Sequence, residues 1–165
     1  MVFVTVGNAT GGFRRLLDAV DRLAGEGFFN GEPVLVQSGN NPDFAPRHCE
    51  ARAFLAIEEF RARLHEATLV ICHGGATQLE VVRRGKIPVV MPRRRKYREI
   101  VNDHQLQLAR LLAERRLASL AMEVEDLPHA IGRALSWPGP APDLKSDMLR
   151  LVDEAICELI GRSPR

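Results

Sequence analysis

The sequence predicts a single α/β domain built on a mainly parallel sheet of five or six strands with helices on both faces. Three observations predict it. Residues 69–91 spell strand, glycine turn, helix and strand, which is a βαβ unit. Upstream and downstream, short β-branched runs alternate with stripes of helical period. At 165 residues, 45% hydrophobic and 27% charged, the chain has ordinary globular composition and enough length for one core.

The elements follow in order. Val2 to Val6 is rich in β-branched residues and reads as the first strand. The loop Gly7 to Gly12 has two glycines at Walker spacing, but Phe13-Arg14 stands where a Lys-Ser/Thr pair is required, so a P-loop is rejected. Phe13, Leu16, Leu17, Val20 and Leu23 form one apolar helical face. Pro33 to Gln37 is a second strand with a turn-rich exit from Ser38 to Pro42. Arg47 to Arg52 reads as a charged loop, Ala53 to Ile57 as a short strand, and Phe60, Leu64 and Ala67 as the apolar side of a helix. Leu69 to Cys72 is a buried strand, His73 to Ala76 a tight turn, and Thr77 to Arg84 a helix ended by Gly85. Ile87 to Met91 is the next strand, Gln105 to Glu114 a helix, Leu117 to Ala121 the last strand and Glu123 to Leu135 a helix. The domain is expected over 1–137, a proline-rich linker over 138–143, and an amphipathic helix and tail over 144–165 with an apolar stripe from Leu144 to Leu159.

Composition narrows the function. A net charge of +2 demands no nucleic acid, and no run is long enough to span a bilayer. Three cysteines without a CxxC pair suit a reducing compartment, and His48 beside Cys49 has no partner at zinc-ligand spacing. The basic run Arg93 to Lys96, with Arg98, has only Tyr97 beside it for base stacking. It reads as a solvated loop, as a neutraliser of a leaving diphosphate, or as a contact for anionic headgroups or a lipid diphosphate.

The turn His73-Gly74-Gly75-Ala76 is suited to an anion. It lies where a strand's carboxyl end meets a helix N-terminus, whose free N–H groups and dipole favour phosphate. The two glycines allow close backbone approach, Thr77 caps the helix or offers its hydroxyl, and His73 offers a ring nitrogen. The plainer reading is a glycine turn needed only for strand–helix packing. Glu80, one turn along, is a carboxylate able to accept two sugar hydroxyls, or an ordinary exposed helical glutamate. Asp103 and Gln105 have groups suited to reading a hexose, and Asp103 is also a fitting N-cap for the following helix. His104 either faces phosphates or packs on the helix.

Taken together, His73-Gly74-Gly75-Ala76-Thr77, Glu80, Gly85-Lys86-Ile87-Pro88, Pro92-Arg93 and Asp103-His104-Gln105, with the opening Val2 to Gly7, resemble the glycosyltransferase family 28 C-terminal domain. The likeness covers roughly residues 1–125 and is much more specific in combination than in any one piece. It implies a Rossmann-like domain, the nucleotide-sugar-binding C-terminal half of a GT-B enzyme. The resemblance is to stand-alone versions of that half, such as the small catalytic subunit of the two-subunit UDP-N-acetylglucosamine transferase of N-glycan assembly and bacterial exopolysaccharide counterparts. It implies donor contacts at His73, Gly74, Gly75, Ala76, Thr77, Glu80, Arg93, Asp103, His104 and Gln105. Thr10 stands in for the threonine of the family's Gly-Thr loop, which here is Gly-Asn, and Gln37 to Asn40 edges the site or is a polar loop.

The resemblance further implies metal-independent sugar transfer from a UDP-sugar, with inversion, to a lipid-linked acceptor, with no cofactor. The general base is not found in these residues and is expected on a membrane-anchored acceptor-binding partner subunit. The chain itself is expected to be cytoplasmic, with membrane contact through that partner, and self-association through an apolar patch stays open. Two alternatives remain: a non-enzymatic nucleotide-sugar-binding module or sensor, and, more weakly, a nucleic-acid-binding protein using the arginine run.

Overall fold

The computed structural model describes residues 1–103 and 105–139. Most of the proline-rich linker, all of the expected C-terminal stripe, and His104 lie outside those residues.

Six strands form one fully parallel sheet in the order β3-β2-β1-β4-β5-β6. They are β1 (Val2–Thr5), β2 (Val34–Gln37), β3 (Glu50–Arg52), β4 (Leu69–Cys72), β5 (Val89–Val90) and β6 (Ser119–Leu120). Among the described residues, four α-helices lie between strands, α1 (Arg14–Gly25), α2 (Ile57–Glu66), α3 (Gly75–Val82) and α4 (Gln105–Glu114), and α5 (Leu127–Ser136) follows β6. This is the order of a doubly wound Rossmann-like sheet, and the fold class is the one the sequence predicts.

Alternation along the strands divides the core into two faces. Val2, Val4, Ile71 and Val89 pack with Leu16, Val20, Leu127 and Ile131 on one side. Phe3, Leu35 and Val70 pack with Leu64 and Val81 on the other, and Cys72 and Val90 extend that side against Ala109 and Leu112. The central strands are buried along their whole length: β4 reads as a continuous apolar run, and β1 and β2 are apolar up to a closing Thr5 and Gln37.

Strands β5 and β6 are shorter than expected, and three larger differences stand out. The third strand lies at Glu50–Arg52, within the expected charged loop, and not at 53–57. It is an edge strand whose side chains stay largely exposed, so no hydrophobic alternation marks it, and its pairing with β2, Leu35 with Glu50, Val36 with Ala51 and Gln37 with Arg52, defines it. Helix α3 starts at Gly75, two residues early. The expected helix at Glu123 divides into a 3-10 turn, Val124–Asp126, and α5, with Pro128 in its first turn.

Lys86 explains one part of the motif. Its ammonium donates to the carbonyls of Leu64 (3.0 Å), Ala67 (2.7 Å) and His65, closing the C-terminal end of α2. A cation there satisfies orphan carbonyls and complements the helix dipole. No helix among the described residues is long and apolar enough to cross a membrane.

Candidate functional site

The strand order reverses between β1 and β4, and a crevice opens beyond the carboxyl ends of an open parallel sheet at such a point. Here β1 exits through Gly7 and β4 through His73-Gly74-Gly75. A cleft of about 550 Å³ lies against both exits. Its lining combines polar Thr5, Asn8, Gln37, His73 and Thr77 with apolar Phe54, Leu55, Ile57 and Phe60.

The turn after β4 has the backbone that only glycine adopts without strain. Gly74 has φ +106° and ψ −145°, and Gly75 has φ +63°. Gly74 is the N-cap of α3, and no side chain caps the helix. Thr77 therefore does not cap. It lines the cleft beside Ala76, while the first-turn N–H groups carry the positive end of the dipole.

Several buried polar atoms around this turn and cleft have no hydrogen-bond partner among the described residues: Nδ1 of His73, both amide atoms of Gln78, Oε1 of Gln105 and Oε1 of Gln37. Nε2 of Gln78 lies 3.7 Å from where a Cβ on Gly74 would stand, and Nε2 of Gln105 lies 4.0 Å from the same point on Gly75. Such orphans cost roughly 1–3 kcal/mol each, and His73, Gln78 and Gln105 carry theirs at or beside this turn. Burial, then the nearby Arg93 cation, pushes the His73 imidazole down to about 4, against the opposing pull of the Thr5 main chain. His73 is neutral at pH 7 and offers a hydrogen bond, not a charge.

Glu80 stands one turn beyond Ala76 on the same face of α3, outside the residues that line the cleft. Its carboxylate is held by Arg84 at 2.6 Å and lies 3.9 Å from Arg83. Gln105 begins α4 beside Gly75.

Arg93, Asp103 and Thr10 are not among the residues that line the cleft. Arg93 is fully buried. Its Nη1 donates to the carbonyls of Gly11 (2.6 Å), Gly12 (3.1 Å) and Glu99 (3.3 Å), and its Nη2 donates to Val6 at 2.9 Å. The guanidinium also lies over Phe13, 4.8 Å from the ring centre. Its fork is occupied by main chain, so it fixes the glycine loop and is not offered to a diphosphate. Asp103 accepts the Arg95 backbone N–H at 2.8 Å, which ties down the loop after β5. Thr10 faces a second groove across the glycine loop.

Gln37 edges the cleft, whereas Asn40 holds the glycine loop through the carbonyls of Asn8 and Ala9, both at 3.1 Å. Sequence reasoning missed Phe54, Leu55 and Ile57. The loop after an edge strand carries no periodic signal, and Phe54 and Ile57, more than half exposed at 52% and 53%, are the only trace of a binding wall. Among the described residues, no group of three or more His, Cys, Asp or Glu side chains is placed to hold a metal ion.

The glycosyltransferase family 28 C-terminal domain matches residues 1–141 of the chain. No protein of curated function matches it at a significant level. Among solved structures, CalG4, the calicheamicin glycosyltransferase, superposes with a TM-score of 0.57 at 16% identity, covering 96% of this chain and 38% of that one. The glycotransferase of kitacinnamycin superposes with a TM-score of 0.61 at 16% identity, covering 94% of this chain and 39% of that one. The chain therefore spans about two fifths of the length of these neighbours, and at such identity they show the shared fold.

Proposed function

Because the chain belongs to the glycosyltransferase family 28 C-terminal domain, we propose that it is the donor-binding half of a GT-B glycosyltransferase that takes its sugar from a UDP-sugar. The observation that carries this reading is the uncapped N-terminus of α3, with its two positive-φ glycines and the orphaned polar atoms around it, beside a cleft lined by both polar and apolar side chains.

The donor fits the cleft by its chemistry. The diphosphate lies at Gly74 to Thr77, where backbone N–H groups and the dipole meet negative charge, and neutral His73 donates one hydrogen bond. The base lies against Phe54 and Leu55, apolar residues of the same cleft. Glu80 receives the ribose hydroxyls at the rim, and Gln105 reaches the sugar from α4. As the glycosidic bond to the donor breaks, charge grows on the leaving diphosphate, and a fixed helix N-terminus stabilises it without reorganisation and without a metal.

The acceptor half, which carries the general base, is supplied by a second, membrane-anchored subunit, and the acceptor is lipid-linked. The resemblance to stand-alone donor-binding subunits supports this arrangement. The chain is placed at the cytoplasmic face of a membrane through that partner.

A calorimetric panel of UDP-, GDP- and TDP-sugars against the purified chain tests the donor, with UDP-sugars expected to bind tightest. Transfer is then assayed with stripped membranes, with and without the candidate partner. Robust transfer by the chain alone overturns the two-subunit arrangement. Binding that never leads to transfer with any partner returns the reading to a nucleotide-sugar sensor.

A further inference from the structure

The buried residues of α3 are Gln78, Val81 and Val82. Gln78 is fully buried, and neither polar atom of its carboxamide has a hydrogen-bond partner among the described residues. Its Nε2 lies 3.7 Å from the point where a Cβ on Gly74 would stand, and Cγ1 of Val90, from β5, lies 3.5 Å from the same point. Gln78 thus packs under the glycine turn from the core side, and it is not among the residues that line the donor cleft.

Packing does not call for a carboxamide there. A methionine would fill a similar volume and leave no amide unpaired, whereas a buried amide without a partner costs free energy. The neighbour able to supply a partner is Gln105. It opens α4, its own Oε1 is buried and unpaired, and its Nε2 lies 4.0 Å from the point where a Cβ on Gly75 would stand. The two carboxamides therefore flank consecutive glycines of one turn. The helices that carry them pack together through Leu79, Val82, Leu108, Ala109 and Leu112.

A hydrogen bond from Nε2 of Gln78 to Oε1 of Gln105, reached by rotation about the side-chain torsions, gives a partner to one orphaned atom on each side. It also holds the Gln105 carboxamide by its oxygen, so that the N–H groups of Gln105 stay free to donate.

We propose that Gln78 is a positioning residue for the donor's sugar: its buried carboxamide donates to Oε1 of Gln105 and so aims the Gln105 amide at the hexose. This rests on the reading of the cleft as a nucleotide-sugar site. The diphosphate and the base are met by other groups, so Gln78 governs the gain that the sugar adds over the bare nucleotide.

The test is calorimetry on the full chain with UDP, UDP-glucose, UDP-galactose and UDP-N-acetylglucosamine, read as the preference for the best-bound UDP-sugar over UDP. Q78M keeps the bulk and loses the hydrogen bond. It is expected to cut that preference by about five- to ten-fold, the scale of one lost hydrogen bond, and to resist urea at least as well as the wild type. Q105A is expected to cut the preference by a similar factor. Q78M/Q105A is expected to cut it no further than Q105A alone, because Gln78 acts through Gln105. An unchanged preference in Q78M overturns the proposal, as do losses that add in the double variant. A less stable Q78M whose UDP and UDP-sugar affinities fall together also overturns it, since that is the mark of a purely structural role. A second readout uses the unsubstituted, isotope-labelled chain. By NMR, the Gln78 side-chain amide signal is expected to shift on adding the UDP-sugar and to stay in place on adding UDP, and a signal unmoved by the UDP-sugar overturns the proposal. A wild-type chain that binds no uridine nucleotide strikes the donor reading and this one with it, whereas one that binds UDP but prefers no UDP-sugar strikes this one only.

Discussion

Gly7 leaves room for the ring of His73. A Cβ on Gly7 would come within 2.5 Å of Cε1 of His73, and Gly7 itself has φ +68°. The exit of β1 thus sets where the imidazole after β4 can stand, across the point where strand order reverses. Gly7→Val is expected to displace His73, destabilise the fold by about 1–3 kcal/mol through strain and overpacking, and weaken UDP binding. Urea unfolding and calorimetry check the two effects, and unchanged UDP affinity in a folded variant would remove His73 placement from donor binding.

His73 also predicts an acid-sensitive fold. Its folded-state pKa is about 4, against an ordinary value of 6.5, so between those values the unfolded chain binds the extra proton. The stability that His73 contributes is complete above pH 6.5 and is lost as pH falls toward 4, by up to about 3 kcal/mol. Denaturant midpoints for wild type and His73→Asn across pH 4–7 measure it. A difference between the two that does not change with pH would show that the ring titrates normally.

Glu80→Ala is expected to weaken UDP binding by about 1.5–3 kcal/mol, the scale of a charged hydrogen bond, while leaving the fold intact. Arg84 now holds that carboxylate at 2.6 Å. Arg84→Ala is therefore expected to change UDP affinity by less than Glu80→Ala does. Equal affinity in wild type and folded Glu80→Ala would take the residue out of the site.

Gly75→Val should separate diphosphate from base. At φ +63° the position disfavours any side chain, and bulk there obstructs the anion more than the apolar lining at Phe54. UDP-sugar binding is expected to disappear while weak uridine binding persists. Parallel loss of both, with a lowered melting temperature, would point to a collapsed turn.

Arg93→Lys should act on stability before binding. One ammonium cannot span the carbonyls of Val6, Gly11, Gly12 and Glu99 that the fork bridges. A loss of about 2–4 kcal/mol is expected from carbonyls left unpaired, read from urea unfolding, with UDP affinity nearly kept. A large affinity loss at unchanged stability would return Arg93 to the ligand.

The sequence by itself determined the parallel α/β architecture and the glycine turn after β4. Buried strands such as Leu69 to Cys72 are apolar along their whole length, and Gly74 and Gly75 adopt a backbone that other residues resist, so both features are local and visible in the letters. Tertiary structure alone decided the rest. Sheet order and register bring Phe54 and Leu55 into one cleft with His73, because a strand as exposed as Glu50–Arg52 is defined by its partner and not by its own pattern. Arg93 and Arg95 are two residues apart in one basic run, yet one is walled in by carbonyls and the other lines an open groove. That difference depends on which distant loop folds over each side chain, and burial of a charge follows from the carbonyls that surround it, which no local spacing records.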